Sequence, residues 1–172
     1  MKTVREVSVI PCTPAEVWRF LTTLDHDAYL RWHPRDHLDF RQLKAPLGPT
    51  GVGQVMVFKE RLGRRAFQFS CVVSESVEDR YVEFMPRRPL ALLRLGSGYF
   101  RIEPVSGGRA QLEAVVELGW RSAIAGRVLD WLIGKVIDLS ALRAHMQEEA
   151  RHLPDAAKSL MKPRPETPRP PA

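Results

Sequence analysis

The stretch SAIAGRVLDWLIGKVIDLSALRAHMQEEARHL, residues 122–153, has the apolar spacing of one long amphipathic helix. Its apolar residues recur every three, four or seven positions, and they are Val128, Leu132, Val136, Leu139, Leu142, Met146 and Leu153. Ser122 is a suitable N-cap, so the helix is predicted to run from there to about Leu153. A helix with a single apolar stripe has to bury that stripe against another layer of structure.

The beginning of the chain predicts one strand and two short helices. Residues 3–10 alternate and are rich in β-branched side chains, which is typical of a strand. The next residues carry the signature of a capped helix start, namely Thr13, Pro14 and Glu16. This helix is expected to end near Leu24, and a second short helix is expected over residues 25–30 before Pro34 interrupts any regular pattern.

The middle of the chain supplies the layer that the long helix needs. Between about Leu38 and Gly119, short apolar runs alternate with glycine-, proline- and charge-rich turn signals. This pattern predicts roughly six further strands, joined mostly as hairpins in an antiparallel sheet. The fold class is therefore expected to be α+β, with about seven strands curved around the final helix.

Length and composition bound the number of domains and the function classes. The 172 residues contain 44% hydrophobic and 27% charged residues, which is typical of one globular domain. The domain is expected over residues 1–154. The Pro-rich, charged tail over residues 155–172 is expected to be disordered, because it has little to bury.

The charge pattern and the cysteines exclude several roles. The net charge of +6 is scattered and accompanies no nucleic-acid-binding motif, so nucleic acid is not an expected partner. The most apolar late run contains Arg127, Asp130 and Lys135, which excludes a membrane span. Cys12 and Cys71 have no CxxC spacing, and no signal-peptide pattern is seen. A cytoplasmic protein with reduced thiols is the expectation.

Histidines and carboxylates that could carry chemistry lie in three separate segments. The five histidines form an early group and a late group, and they are His26, His33, His37, His145 and His152. On the final helix His145 and Glu149 are four residues apart, about 40° on the helical wheel, so they share one face. Which of His33, His37 and His152 would join them is left open by the residue pattern.

A third candidate lies on the strand that follows residues 51–54. Alternation places Glu60 on the same face as Met56 and Phe58, while the cationic side chains take the opposite face. An inward carboxylate is costly to bury alone, so it needs a partner such as a metal ion or a histidine.

Each of these features also has a plainer interpretation. A His/Glu pair on a helix is commonly a solvated surface pair, and histidines in a loop are commonly only polar connections. The coincidence of three segments, each with a ligand on an inward face, favours a metal site. Two histidines and two carboxylates suit zinc, with iron or manganese as alternatives.

The order of the elements resembles the helix-grip fold of the START-type, or SRPBCC, superfamily over nearly the whole chain, to about residue 154. The resemblance implies a curved antiparallel sheet wrapped around the final helix, with two short helices after the first strand. It also implies a deep apolar cavity between the sheet and the helix, and hence a hydrophobic small molecule as ligand or substrate.

Three stretches resemble the zinc-dependent diacetylphloroglucinol (phloretin) hydrolase branch of that superfamily, and they are YLRWHPRDHLDF (29–40), GVGQVMVFKERLG (51–63) and RAHMQEEARHL (143–153). The resemblance implies a metal held by His37, Glu60, His145 and Glu149. His33 stands at a variable position of the motif and is expected either behind the metal ligands or on the substrate side, with a catalytic role as a general acid or base. Asp36 is expected to orient a ligating imidazole. The sheet region contains no histidine to match the additional acid/base histidine of that branch.

The leading hypothesis is a zinc-dependent hydrolase or lyase for a small aromatic or polyketide-like substrate. The pocket for the ring is expected from four apolar side chains, those of Phe58, Phe67, Phe69 and Trp131. Two other functions stay open. One is a non-catalytic carrier of a hydrophobic small molecule, and the other is a metal-free polyketide cyclase or dehydratase with His33 or His37 as base.

Overall fold

A seven-stranded antiparallel sheet is the larger of the two layers of the protein. The computed structural model describes residues 2–87, 95–119, 131 and 137–161. The elements in chain order are β1 (Lys2–Ile10), α1 (Pro14–Thr22), α2 (His26–Trp32), β2 (His37–Lys44), β3 (Val55–Leu62), β4 (Arg65–Val77), β5 (Tyr81–Pro86), β6 (Leu95–Val105), β7 (Arg109–Leu118) and α3 (Leu139–Met161). The strand order is β1-β7-β6-β5-β4-β3-β2, so all strands except β1 follow one another as hairpin neighbours. The predicted α+β helix-grip architecture is confirmed.

The two short helices begin at N-capping residues. The sequence predicts the cap of the first helix, and the structure adds the cap of the second. Thr13 accepts the backbone N–H of Glu16 at 3.3 Å, and its own N–H donates to the Glu16 carboxylate at 2.7 Å, which completes the capping box. Asp25 caps α2 by accepting the N–H of Ala28 at 2.7 Å. Helix α2 continues to Trp32, two residues beyond the predicted range, and this places aromatic side chains directly before His33.

Helix α3 packs its apolar stripe against the sheet and against α1 and α2. Near its start, Leu142 and Met146 contact a small cluster with Val4 and Leu118 at one end of β1 and β7. Towards its end, Leu153 joins the main core together with Ala156 and Ala157. The helix therefore spans the sheet from one end to the other, and its middle turns lie over the interior of the protein.

The long helix is interrupted before Leu139, where the sequence predicts a continuous helix, and it ends beyond the predicted Leu153. The side chain of Asp138 accepts the backbone N–H groups of Ser140 and Ala141 at 2.9 and 3.2 Å, so α3 begins at Leu139 behind its own cap. The predicted cap Ser122 lies outside the described residues. The apolar period continues across residues 137–138, which explains why the pattern did not reveal the break.

The predicted domain boundary at residue 154 also falls inside the helix, because α3 continues through Pro154 to Met161. Proline removes one intrahelical hydrogen bond and crowds the preceding turn. The burial of Leu153, Ala156 and Ala157 outweighs that cost. The remainder of the predicted tail, residues 162–172, lies outside the described residues.

Among the helices of the described ranges, none combines the length and the apolar character that a membrane crossing needs. Both cysteines are free, and their side chains are buried with exposures of 2% for Cys12 and 3% for Cys71. Burial raises the pKa of the Cys12 thiol, and the charge of Glu16 adds to this. Burial also raises the pKa of the Cys71 thiol to about 12, with a further contribution from Glu60.

We expect neither thiol to react with Ellman's reagent in the native protein at about pH 8, because the thiolate is the reactive species and both groups are buried thiols. Both should react fully in guanidinium chloride. The absorbance of the released thionitrobenzoate measures the reaction, and a Cys12→Ala variant assigns each signal. Stoichiometric reaction of the native protein would contradict the burial described above.

Candidate metal centre

The four predicted ligands, His37, Glu60, His145 and Glu149, lie together in the interior where β2, β3 and α3 meet. The antiparallel register of β2 and β3 places His37 directly opposite Glu60. The spacing of four residues on α3 places His145 and Glu149 on the face that crosses this strand pair. Three elements thus contribute to one cluster, as the sequence predicts.

Donor atoms of His37, Glu60 and His145 all lie within 4.8 Å of one another, and three donor-atom distances in the cluster are close to those around a metal ion. Nε2 of His37 lies 3.1 Å from Oε1 of Glu149, and Nε2 of His145 lies 3.6 Å from the same oxygen. Nε2 of His145 is also 3.8 Å from Oε2 of Glu60. In a tetrahedral zinc site with bonds of about 2.0–2.1 Å, neighbouring donor atoms are about 3.3–3.4 Å apart. The observed spacings bracket that value.

The imidazole of His145 is the clearest sign of a missing partner. Both of its nitrogens are buried and neither makes a hydrogen bond with any described group. A buried imidazole without a hydrogen bond is costly, and so are the two carboxylates beside it, whose side chains are only 13% and 15% exposed. A cation between His145, Glu60 and Glu149 would satisfy all three groups, so the residues present fit a metal ion.

The orientation of His37 leaves one nitrogen available for a metal. Its Nδ1 lies 2.8 Å from the backbone oxygen of Tyr29, and this contact holds a proton on Nδ1. The lone pair of Nε2 then points into the cluster. Backbone carbonyls commonly fix ligating imidazoles in this way.

Tyr29 also holds a second predicted ligand, a role that the sequence did not reveal. Its hydroxyl donates to Oε1 of Glu60 at 2.7 Å, and its ring stacks on His37 at 3.9 Å and 3°. The pairing with Glu60 spans 31 positions in sequence and depends on how α2 packs on β3. The signal available in the sequence was a tyrosine in the short helix that precedes His33 and His37.

His33 is close to the cluster but is a poorer ligand than His37. Its Nδ1 accepts the backbone N–H of Asp36 at 3.2 Å, which places the proton of the neutral ring on Nε2. A protonated nitrogen has no lone pair for a metal. Although His33, Asp36 and His145 also come within 4.8 Å of one another, the geometry favours His37 and His145 as the imidazole ligands.

Asp36 lies where it can orient His145. Its Oδ2 is 3.8 Å from Nδ1 of His145 and 3.9 Å from Nε2 of His33. The backbone of Asp36 is itself fixed, because its carbonyl accepts the N–H of Arg61 on β3 at 2.7 Å. A carboxylate behind a ligating histidine is a common arrangement at zinc sites.

Burial and mutual charge shift the pKa values of the cluster in opposite directions. Burial alone lowers the pKa of His37, but the hydrogen bond and charge of Glu149 outweigh it, so the pKa is raised. Burial raises the pKa of Glu60, and the charge of Glu149 adds to the effect. The pKa of Glu149 is lowered, because the histidines around it outweigh its burial. Burial and the neighbouring imidazoles lower the pKa of His33.

The remaining histidines lie outside the ligand cluster. His152 has a buried Nδ1 that makes no hydrogen bond within the described ranges, and its ring centroid is 5.8 Å from that of His33. His26 contacts the backbone oxygen of Phe40 at 3.0 Å and the carboxylate of Asp39 at 3.5 Å. His152 therefore borders the cluster, whereas His26 is a surface-side residue.

The cavity beside the cluster is much smaller than the deep cavity expected from the sequence. This inner cavity has a volume of about 10 Å³, roughly the room that one water needs. Its lining residues are Glu6, Ser8, Trp32, Phe100, Leu112, Ala114, Met146, Glu149 and Ala150. The described side chains of the helix, the sheet and α2 fill the space between them.

None of the predicted pocket residues lines the inner cavity. Phe58 is part of the packed core, where its ring lies 5.4 Å from that of Tyr29, and Phe69 stacks on Phe58. Phe67 is half-buried opposite Glu60, and Trp131 is 59% exposed. The apolar walls next to the cluster come instead from Trp32, Phe100, Leu112 and Met146.

The fold is similar to that of several solved structures, at low sequence identity. The protein TTHA0849 from Thermus thermophilus matches with a TM-score of 0.67 and 13% identity, over 94% of this chain and 100% of that one. A START superfamily protein from Mycobacterium smegmatis matches with a TM-score of 0.60 and 15% identity, over 92% and 99%. A Thalictrum norcoclaurine synthase point mutant matches with a TM-score of 0.62 and 10% identity, over 90% and 94%.

These matches establish a START-like fold and nothing finer. No protein-family model matches this chain, and no curated protein matches it by sequence.

We expect a Tyr29→Phe variant of the metal-free protein to be less stable by about 1–3 kcal/mol, because Glu60 loses its only hydrogen-bond donor among the described residues while it stays buried. Urea unfolding followed by tryptophan fluorescence measures the difference. Tyr81→Phe is the matched control, since Tyr81 lies on the other face of the sheet against Tyr99. Equal stability of the two variants would contradict the role assigned to the Tyr29 hydroxyl.

Proposed function

We propose that the protein is a metal-dependent hydrolase or lyase, with one zinc ion held by His37, Glu60, His145 and Glu149. The observation that carries the proposal is the geometry of His145. Both of its nitrogens are buried without a hydrogen bond to any described residue, and one of them faces the oxygens of Glu149 and Glu60 at 3.6 and 3.8 Å. Iron and manganese accept the same donors, so the identity of the ion is part of the test.

The ion would supply a Lewis acid that activates water and polarises an oxygen of the substrate. Two carboxylate ligands neutralise its charge of +2, so the ligand set and the ion together are neutral. A neutral centre beside apolar walls favours a substrate that is itself neutral and largely apolar.

His33 would bind an oxygen of the substrate. Its lowered pKa keeps the ring neutral, and the contact of Nδ1 with the Asp36 N–H keeps the proton on Nε2. Nε2 is buried and makes no hydrogen bond with the described groups. A neutral imidazole that donates an N–H bond can stabilise negative charge that develops on a carbonyl oxygen.

The apolar walls beside the cluster favour a small aromatic or polyketide-like substrate, and their side chains would move apart to admit its ring, because the inner cavity of about 10 Å³ has room for one water. Trp32, Phe100 and Met146 lie beside Glu149 and offer apolar surface to a ring. The name of one structural neighbour, norcoclaurine synthase, indicates that related folds act on small molecules.

The cluster also argues against a carrier that holds an apolar ligand without a metal. Burying Glu60 and Glu149 beside His37 and His145 costs folding free energy. These polar groups would not strengthen the binding of a purely apolar ligand. A carrier would be expected to have apolar side chains at these positions.

Protein purified without chelator is expected to contain about one metal ion per chain, because the ligand atoms are already in place. Inductively coupled plasma mass spectrometry for zinc, iron and manganese measures it. The ion should be absent from His145→Ala and retained in His26→Ala, the matched control outside the cluster. A metal-free wild-type protein that also takes up no added zinc would refute the metal centre.

Metal affinity is expected to fall as the pH is lowered from about 8 to about 6, because His37 has to lose its proton to ligate. The raised pKa of His37 means that protons begin to compete at a higher pH than at an ordinary histidine. Competition with a chromophoric zinc chelator at several pH values measures the affinity. An affinity that stays constant over this range would show that His37 is not a ligand.

A further inference from the structure

A groove on the surface leads towards the inner cavity. This outer groove lies between β1 and α3, has a volume of about 330 Å³ and is open to solvent. Its lining residues are Glu6, Ser8, Val9, Ile10, Gln147, Ala150 and Arg151. The volume is within the range of about 300–1,000 Å³ that small-molecule sites occupy.

Three residues line both the outer groove and the inner cavity, and they are Glu6, Ser8 and Ala150. We call these three residues the neck. The inner cavity reaches Glu149, one of the four proposed ligands. The described residues thus outline one path from solvent, through the outer groove and the neck, to the cluster.

The polar side chains of the neck lie where apolar ones would be expected. On β1 the side chains of Val4 and Ile10 are buried against the helix, and Glu6 and Ser8 share their face by alternation. Neither Glu6 nor Ser8 makes a side-chain hydrogen bond or ion pair with any group in the described ranges. A carboxylate on an inward face without a protein partner needs water or a ligand to solvate it.

We propose that the neck is the passage through which the metal ion and the substrate reach the cluster, and that Glu6 makes it selective. A carboxylate at a narrow point attracts cations and hydrogen-bond donors and repels anions. The passage therefore favours molecules that carry no carboxylate or phosphate group. This inference rests on the metal centre proposed above.

Ala150 sets the width of the passage. Its side chain is buried where β1 meets α3, so a larger side chain at this position would project into the neck. Leucine is nearly as good a helix former as alanine, so Ala150→Leu alters the neck more than the helix. Ala144→Leu adds the same atoms to the exposed face of the same helix and is the matched control.

The first experiment measures metal exchange. The metal-free protein is mixed with Co²⁺, and the rise of the cobalt absorption gives the loading rate. The loaded protein is then mixed with dipicolinate, a dianionic chelator, and the decay gives the extraction rate. Ala150→Leu should slow both rates severalfold without changing the final metal content, whereas Ala144→Leu should change neither.

The second experiment separates charge from size. Glu6→Gln should slow Co²⁺ loading and accelerate extraction by dipicolinate, each by up to about tenfold at low ionic strength. The matched control is Glu103→Gln, which changes the net charge equally at an exposed position on β6. A slower loading rate together with a faster extraction rate is expected only if Glu6 lies on the path that both ions follow.

Equal rates in Ala150→Leu and Ala144→Leu would overturn the passage, because the ions would then reach the cluster by another path. Rates in Glu6→Gln that equal those of Glu103→Gln, or that shift in one direction together, would overturn the selectivity. Failure of the wild-type protein to take up any metal is a different result, and it would overturn the metal centre together with the passage to it.

Discussion

The burial of two carboxylates and two imidazoles at one point is the constraint on which the rest of the structure depends. Glu60 and Glu149 would repel each other in an interior that screens charge poorly. His37 and His145 offset part of this repulsion, because the charge of each imidazole lowers the pKa of both carboxyl groups. A divalent cation would offset the remaining repulsion between the two carboxylates. The four residues together are therefore stronger evidence for a metal site than any one of them.

The fold holds this cluster by fixing each ligand from a different direction. The register of β2 and β3 sets His37 against Glu60, and one turn of α3 sets His145 below Glu149. The side chain of Tyr29 then binds Glu60, while its backbone oxygen binds His37. The indole N–H of Trp32 donates to the backbone oxygen of Glu149 at 2.8 Å, which ties α2 to α3 at the same level. Together these contacts restrict the movement of the ligands.

Local periodicity explains which parts of this arrangement could be predicted. Strand alternation and helical spacing place Glu60, His145 and Glu149 on inward faces, and the resemblance to a zinc hydrolase branch adds His37. The role of Tyr29 and the polar neck at Glu6 could not be predicted, because they depend on which strand packs under which helix turn. The break before Leu139 and the continuation past Pro154 were missed since capping and tertiary burial override the apolar period.

The chemistry of the neck and that of the cluster lead to the same kind of ligand. A metal ion with two carboxylate ligands is neutral overall, so it gains little from an anionic substrate. The carboxylate of Glu6 on the path to it would oppose an anion before it arrived. The apolar side chains of Trp32, Phe100 and Met146 favour an apolar ligand surface, while the Glu6 carboxylate accepts hydrogen bonds and the Ser8 hydroxyl both donates and accepts them. Both the proposed metal centre and the neck therefore disfavour an anionic ligand.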